Sequence, residues 1–250
     1  ALAAGLGLRA MYEAKSTQGR LFFFLCFLIL SAATMLNQAR GATIALGAAL
    51  IIMCAHRKQN LIFIAVAVAV TILLIAPLFH ERMTATGMST TQDIRSKMFR
   101  LSWEVIKDRP IAGLGYGGEI YGNRNLVDLE KYNAKLPESY RQSNPIIPST
   151  HNVFLDVTVR TGIVGLVLFC MILLTALWMI WDVFRQRKED FFRSWSICLT
   201  ACFVSYMIQA FLNDALYGTQ GVLLYIQLAM IGILWNLARK ETADASNTGV

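Results

Sequence analysis

Long apolar runs separated by short polar connections make up most of this chain. An α-helix needs about 20 predominantly apolar residues to cross a bilayer, and most of the runs approach that length. The pattern therefore predicts about six complete membrane-spanning helices, preceded by a segment that resembles the end of an earlier span. The six runs are Leu21–Leu36, Ala42–Ala55, Leu61–Phe79, Gly162–Phe184, Trp195–Leu212 and Val222–Leu237.

A polar region between residues 80 and 160 interrupts this pattern. It is far longer than an ordinary connection, which points to a functional loop. Near its start, apolar residues recur at spacings of four, three and four, as on one face of an amphipathic helix. These residues are Ile94, Met98, Leu101 and Val105.

Polar signals mark the two ends of this predicted loop helix. Asp93 lies near its expected start, where a carboxylate favours the helix dipole, and Arg95 would fall in the first turn. Pro110 would end the helix. Farther on, two prolines between residues 144 and 150 exclude a helix, so we expect the chain to reach His151 in an extended conformation.

The composition agrees with a membrane protein. The 250 residues are 56% hydrophobic and only 16% charged, whereas soluble domains are about half apolar and about a quarter charged. We predict an all-α, polytopic transmembrane fold. Its expected parts are transmembrane helices in 1–79, a loop domain in 80–160, three further spans in 161–240 and a loosely ordered cytoplasmic tail in 241–250.

The formal net charge of +7 is mainly a topology signal and does not indicate nucleic-acid binding. Lys and Arg gather in short connections, which the positive-inside rule assigns to the cytoplasm. In one orientation every basic cluster lies on the cytoplasmic side. The same orientation puts Arg40, the 80–160 loop, His151 and residues 213–221 together on the opposite face of the membrane. The clusters are HRK at 56–58, RQRK at 185–188 and ARK at 238–240, with Lys15 and Arg20.

Three side chains on that face are candidates for chemistry. His151 stands at the mouth of a span, where an imidazole can take a proton from a hydroxyl; the alternative is a structural hydrogen bond. Arg40 lies between two apolar runs, and it either binds a ligand or reaches lipid headgroups from a turn. Arg95 is either a phosphate ligand or a solvated residue of the loop helix. Guanidinium groups suit the ligand role because they bind phosphate in a bidentate manner.

Other common kinds of site are not indicated. The sequence has no HExxH or CxxC pattern and its carboxylates are scattered, so no metal or other cofactor is predicted. GLGYGG at 113–118 follows a predicted helix instead of a strand, which argues against a nucleotide-binding loop.

Three motifs, taken in order, resemble the O-antigen ligase and polymerase superfamily, and more narrowly the ligases that attach O-antigen to lipid A-core. The resemblance extends from about Leu21 to Leu237 and corresponds to the C-terminal half of such proteins. The motifs are LNQARGAT at 36–43, DIRSKMFRLSWEVIKDRPIAGLGYG at 93–117 and HNVFLDVTVRTGIVGLVLF at 151–169.

The resemblance implies a metal-independent, inverting glycosyltransferase of the GT-C type, with its active site at the periplasmic face of the bacterial inner membrane. The implied donor is a glycan on undecaprenyl pyrophosphate, and the implied acceptor is a sugar hydroxyl of lipid A-core. By motif, His151 becomes the general base, while Arg40 and Arg95 bind the pyrophosphate. The acidic residue before the last span matches Asp214, in LNDALYG at 212–218, as a further substrate-binding candidate. Arg100, Asn152 and Arg160 lie within the motifs and are substrate-binding candidates without an assigned role.

Several functions compete with this interpretation. A polymerase that joins repeat units would share the donor but use another lipid-linked glycan as acceptor, and an O-linked protein glycosylation ligase would use a protein. A transporter of lipid-linked glycans belongs to a different class, in which charged residues line a path. The apolar runs hold few ionisable residues, and the charges concentrate in one loop, which disfavours transport.

Overall fold

A computed structural model describes most of the chain outside the third predicted span. Residues 57–87 lie outside the described part, and with them the predicted span Leu61–Phe79; Asp214 also lies outside it. The described residues are 6–7, 10, 14–36, 40–56, 88–115, 127–143, 145, 147, 150–186, 190–213, 216 and 218–247.

Every regular element among the described residues is helical, which confirms the predicted all-α class. Two of the elements are short pieces within the polar loop, and the rest are long helices. In chain order they are α1 (Thr17–Leu36), α2 (Arg40–His56), α3 (Met88–Asp108), α4 (Glu130–Asn133), a 3₁₀ turn (Glu138–Tyr140), α5 (Val153–Gln186), α6 (Asp190–Leu212) and α7 (Gly218–Asn247).

Four of the described helices, α1, α5, α6 and α7, are long and apolar enough to cross a membrane. A shorter apolar segment, Gly41–Met53, lies within α2. Large apolar side chains along these helices remain exposed, including Leu168 at 57% and Trp181 at 60%. Such exposure fits helices surrounded by lipid, because hydrocarbon solvates these side chains as well as a protein core does. The chain is a multi-pass helical membrane protein.

Several helices extend beyond the apolar runs and the helix start that the sequence predicted. Helix α5 begins at Val153 instead of Gly162, and α7 continues to Asn247, where a loosely ordered tail was expected. The continuation of α7 contains Ala, Arg, Lys and Glu, which are good helix formers. Helix α3 begins at Met88, so Asp93 and Arg95 lie beyond the first turn, and Asp93 is not the dipole-stabilising residue that we predicted.

The structure divides into two compact units. The first contains Ala1–His80, Leu174–Gln209 and Tyr217–Val250, and within it α1 packs against α2. The other helical segments of this unit are joined by polar contacts as well as apolar ones. Trp235 Nε1 donates to Asp182 Oδ2 at 2.9 Å, and Gln227 Nε2 donates to the Leu199 carbonyl at 3.3 Å.

The second unit contains Glu81–Leu173 and Ala210–Leu216, and so includes the loop helix α3 and the first part of α5. Its core brings α3, the loop segment after it and α5 together. The predicted apolar face of α3 is buried as expected at Met98, Leu101 and Val105, whereas the side chain of Ile94 lies outside the described part. The core residues are Leu101, Val105, Leu129, Tyr132, Leu136, Ile147 and Val159.

Candidate active site

The first turns of α5 are held by the segment that follows α3. The amide of Leu114 donates to the Val159 carbonyl at 2.9 Å, and the amide of Gly115 donates to the Arg160 carbonyl at 2.8 Å. In return, the Ile163 amide donates to the Pro110 carbonyl at 2.8 Å. These hydrogen bonds tie a loop to a helix that follows it by about fifty residues in sequence, and they fix the start of α5 within this unit.

Two glycines make this close approach possible. Gly113 and Gly162 have φ values of 65° and 67°, and the backbone of α5 is non-helical at Gly162. A Cβ on Gly113 would lie 2.6 Å from the carbonyl oxygen of Arg160, and a Cβ on Gly162 would overlap the carbonyl group of Ile111. GLGYGG therefore contributes a packing glycine to the start of α5, and Gly162 interrupts the regular helix that follows His151.

His151 adopts a left-handed backbone conformation immediately before α5. Its φ of 52° is the only positive value at a non-glycine residue in the described part of the chain. The predicted extended conformation concerns residues 144–150, of which 144, 146, 148 and 149 lie outside the described part, so it stays a prediction. The neighbours hold this turn, because the buried Thr150 donates through Oγ1 to the Asn152 carbonyl at 2.8 Å. A left-handed residue outside glycine marks a position where the surroundings impose the conformation, and the His151 side chain is half-buried.

Asn152 is the N-cap of α5. Its Oδ1 accepts from the Leu155 amide at 2.9 Å, and its carbonyl accepts from the Asp156 amide at 2.9 Å, an arrangement that satisfies donors at a helix start. Its Nδ2 donates to the Phe211 carbonyl at 3.2 Å. Both ends of this amide are thus used within the protein, and its substrate-binding role stays a prediction.

The contact with Phe211 brings the end of α6 to the start of α5. The rings of Phe154 and Phe211 lie 4.7 Å apart between centroids, which adds an apolar contact to the hydrogen bond from Asn152. The residues that directly precede Asp214 therefore lie beside the turn that carries His151. Asp214 itself is outside the described part of the chain.

Arg160 forms a buried ion pair one turn into α5. Its Nε donates to Asp156 Oδ2 at 2.7 Å, and both side chains are only 4% exposed. Such a pair needs both charges, since removal of either one leaves the other unpaired in a medium of low polarity. The spacing of four residues in DVTVR could have shown this partner in the sequence. The substrate-binding role of Arg160 stays a prediction.

The cationic residues of α3 are accessible. Arg95 is exposed, and the guanidinium of Arg100 lies 3.9 Å above the centre of the Tyr140 ring, a cation–π contact. Arg100 also lines an open cleft of about 750 Å³ within this unit. The cleft is bounded by Ser96, Phe99, Arg100, Trp103, Glu104, Lys107, Lys135, Leu136 and Pro137. Its signal in the sequence is limited to two aromatic residues on the polar side of α3.

The far end of α3 is joined to α4 by a polar cluster. Asp108 Oδ2 accepts from Lys131 Nζ at 3.0 Å and from Tyr132 Oη at 2.8 Å. These hydrogen bonds, first that of Lys131, lower the pKa of Asp108 below its ordinary value of 3.8. Burial and then the hydrogen bond to Asp108 raise the pKa of Tyr132. The cluster fixes the loop that forms one wall of the cleft.

The predicted catalytic residues fall in both units. Arg95 and His151 belong to the second unit, whose core joins their two helices. Arg40 is the first residue of α2 in the first unit, and its side chain lies outside the described part. Among the described residues, no three His, Cys, Asp or Glu side chains are grouped as a metal site would require.

The apolar helices, together with a unit that contains the polar loop, define the class as a multi-pass helical membrane protein. Comparison with known families then identifies the group. The model of the family described as O-Antigen ligase matches residues 25–170, more than half of the chain, and this match includes Arg40, Arg95 and His151. The chain belongs to this family.

One curated relative extends the match. The exopolysaccharide production protein ExoQ of Rhizobium meliloti (strain 1021) is 26% identical over 178 residues, which cover 70% of this chain and 37% of that protein. The chain thus spans little more than a third of this relative's length. Both comparisons agree with the predicted O-antigen ligase and polymerase superfamily, and neither identifies a lipid A-core ligase.

Proposed function

We propose that the protein is a metal-independent, inverting glycosyltransferase that moves a glycan from undecaprenyl pyrophosphate to a sugar hydroxyl of lipid A-core. Family membership supports the class of reaction. The observation that carries the site is His151, held in a left-handed turn directly before the N-cap Asn152, whose side chain donates to the end of α6. Capping contacts on both sides of a half-buried imidazole suit a base that needs a fixed position.

In the proposed reaction, His151 takes the proton of the acceptor hydroxyl as its oxygen attacks the anomeric carbon of the donor. The bond from that carbon to the pyrophosphate oxygen breaks, and undecaprenyl pyrophosphate leaves with the electron pair. Arg40 and Arg95 neutralise the charge that develops on the leaving group, a task for which fixed cations are effective in a site with little water. The distribution of Lys and Arg in the short connections supports a reaction at the periplasmic face of the inner membrane.

Substitutions at His151 test the base while they separate chemistry from backbone strain. His151→Gly relieves the left-handed conformation, and His151→Asn keeps a residue that tolerates it. Both variants should insert at the normal level and lose glycan transfer by about 10²–10⁴-fold, the usual contribution of a general base. Transfer at the wild-type rate in either variant would refute the role of His151.

Lysine substitutions test the arginines. Arg40→Lys and Arg95→Lys keep the charge but lose the bidentate contact, so we expect slower turnover without loss of the protein from the membrane. Arg185→Lys, in a basic cytoplasmic cluster, is the matched control and should transfer normally. Wild-type turnover in both Arg40→Lys and Arg95→Lys would exclude the pyrophosphate contact.

A polymerase is the second candidate, because the name of the curated relative refers to exopolysaccharide production. The surface glycans of a deletion strain discriminate the two. Lipid A-core without any O-antigen, with polymer retained on its lipid carrier, indicates the ligase. Core that bears a single repeat unit, or loss of a secreted polysaccharide, indicates a polymerase.

A further inference from the structure

The cleft beside α3 has features that the proposed chemistry at His151 does not use. Phe99 and Trp103 lie in its wall and are 52% and 49% exposed. They stand on the polar side of the amphipathic helix, opposite the face that is buried in the core. Large aromatic side chains exposed together in a concave site indicate a binding surface.

The polar side chains of the cleft complement these rings. Lys107 Nζ donates to Glu104 Oε1 at 2.8 Å, and Arg100 is held over the Tyr140 ring. These contacts limit the rotamers of the charged groups before any ligand binds, so less entropy is lost on binding. A wall that pairs flat apolar rings with oriented donors and one carboxylate fits a sugar, whose C–H faces stack on rings and whose hydroxyls exchange hydrogen bonds.

The same helix links the cleft to the proposed pyrophosphate contact. Arg95, Phe99, Trp103 and Lys107 are spaced by four residues, so they follow one side of α3, and all four are exposed. From Arg95 to Trp103 the helix rises about 12 Å. A glycan that leaves a pyrophosphate bound at Arg95 would therefore meet the aromatic rings within its first sugars.

We infer that the cleft between α3 and residues 135–137 binds the saccharide part of the donor, with Trp103 and Phe99 as stacking surfaces and Arg100, Glu104 and Lys107 as hydrogen-bonding groups. This inference rests on the proposed function. A membrane surface is the competing occupant of exposed aromatic and basic residues. The concave shape and the carboxylate of Glu104, only 20% exposed beside Lys107, favour a polyhydroxylated ligand over anionic headgroups.

Binding of a lipid-free oligosaccharide tests the cleft apart from catalysis. The probe is the repeat-unit oligosaccharide released from the surface polysaccharide of the source organism, titrated against the full-length protein in lipid nanodiscs. We expect Trp103→Ala to weaken binding about tenfold, the effect of one lost aromatic contact. Trp181→Ala, which removes another exposed tryptophan from a membrane-spanning helix, should bind like the wild type.

Two further measurements separate the possible failures. His151→Gly should bind the oligosaccharide normally while it loses transfer; if it transfers normally, the proposed base is wrong and the cleft is unaffected. The proposal that the cleft binds the saccharide is overturned if Trp103→Ala and the wild type bind the oligosaccharide equally, or if the wild type does not bind it. If brominated phospholipids quench tryptophan fluorescence in the wild type and this quenching disappears in Trp103→Phe, then Trp103 contacts the membrane. That result would also contradict the proposal that the cleft binds a saccharide.

Discussion

Gly162 offers a strict test of how the loop is attached to α5. Substitution by alanine adds one Cβ, which would overlap the carbonyl group of Ile111 and lie 2.6 Å from the Ala112 amide nitrogen. The backbone at Gly162, with φ 67° and ψ −167°, also falls in a region that is essentially restricted to glycine. Gly162→Ala must therefore distort either the helix or the loop that crosses it.

The expected cost follows from these two effects. The strained backbone of an alanine at such angles costs about 1–3 kcal/mol. Displacement of the loop weakens the hydrogen bonds made by the amides of Ile163, Leu114 and Gly115, each worth about 1 kcal/mol. The sum, about 2–6 kcal/mol, is a large part of the stability of an ordinary domain. We expect Tm in detergent to fall by roughly 10 °C.

Thermal unfolding of purified variants measures this effect, with Gly232→Ala as the matched control. Gly232 lies in α7, and a Cβ there would meet nothing within 4 Å, so its replacement should leave Tm unchanged or slightly raised. Gly113→Ala attacks the same contact from the loop side, and the double variant with Gly162→Ala should lose less than the sum of the two. If Gly162→Ala unfolds at the same temperature as Gly232→Ala, the described crossing is wrong.

Three other substitutions test the contacts around the site by thermal unfolding. Asp156→Ala removes the carboxylate that pairs with the buried Arg160 and should cost about 3–5 kcal/mol; recovery is expected when Arg160→Met is added. Asn152→Ala removes the cap of α5 and should cost about 1 kcal/mol, whereas Asn152→Asp retains the cap. Asp108→Asn should destabilise the loop near neutral pH. Because Lys131 lowers the pKa of Asp108 below 3.8, this carboxylate stabilises above 3.8, and the difference from wild type should vanish as pH falls through the lowered value.

Each of these expectations is contradicted if the variant unfolds at the same temperature as the wild type. For Asp156→Ala, the matched control is Glu241→Ala, which removes an exposed carboxylate from α7 and should leave the free energy of unfolding nearly unchanged. For Asp108→Asn, a difference from wild type that persists in strong acid would show that charge is not its cause.

The spans and the loop helix were predictable because their signal is local. Apolar runs of sufficient length define membrane helices irrespective of their neighbours, and the spacing of Met98, Leu101 and Val105 defined a buried face that the structure confirms. The start of α5 was not predictable by the same rule. Asp156 and Arg160 make its first turns look polar, and only their mutual pairing within the helix allows these charges to be buried.

The sequence by itself determined that the chain is a helical membrane protein with one large polar loop, and it singled out His151, Arg95 and Arg40 as candidates for chemistry. The tertiary structure decided the conformation of His151, since Thr150 and the N-cap impose a left-handed turn that composition does not encode. It also decided which distant segments meet at Gly162 and Phe211. Those contacts join segments that are far apart in sequence, and a local pattern carries no information about the partner that a buried polar group will find.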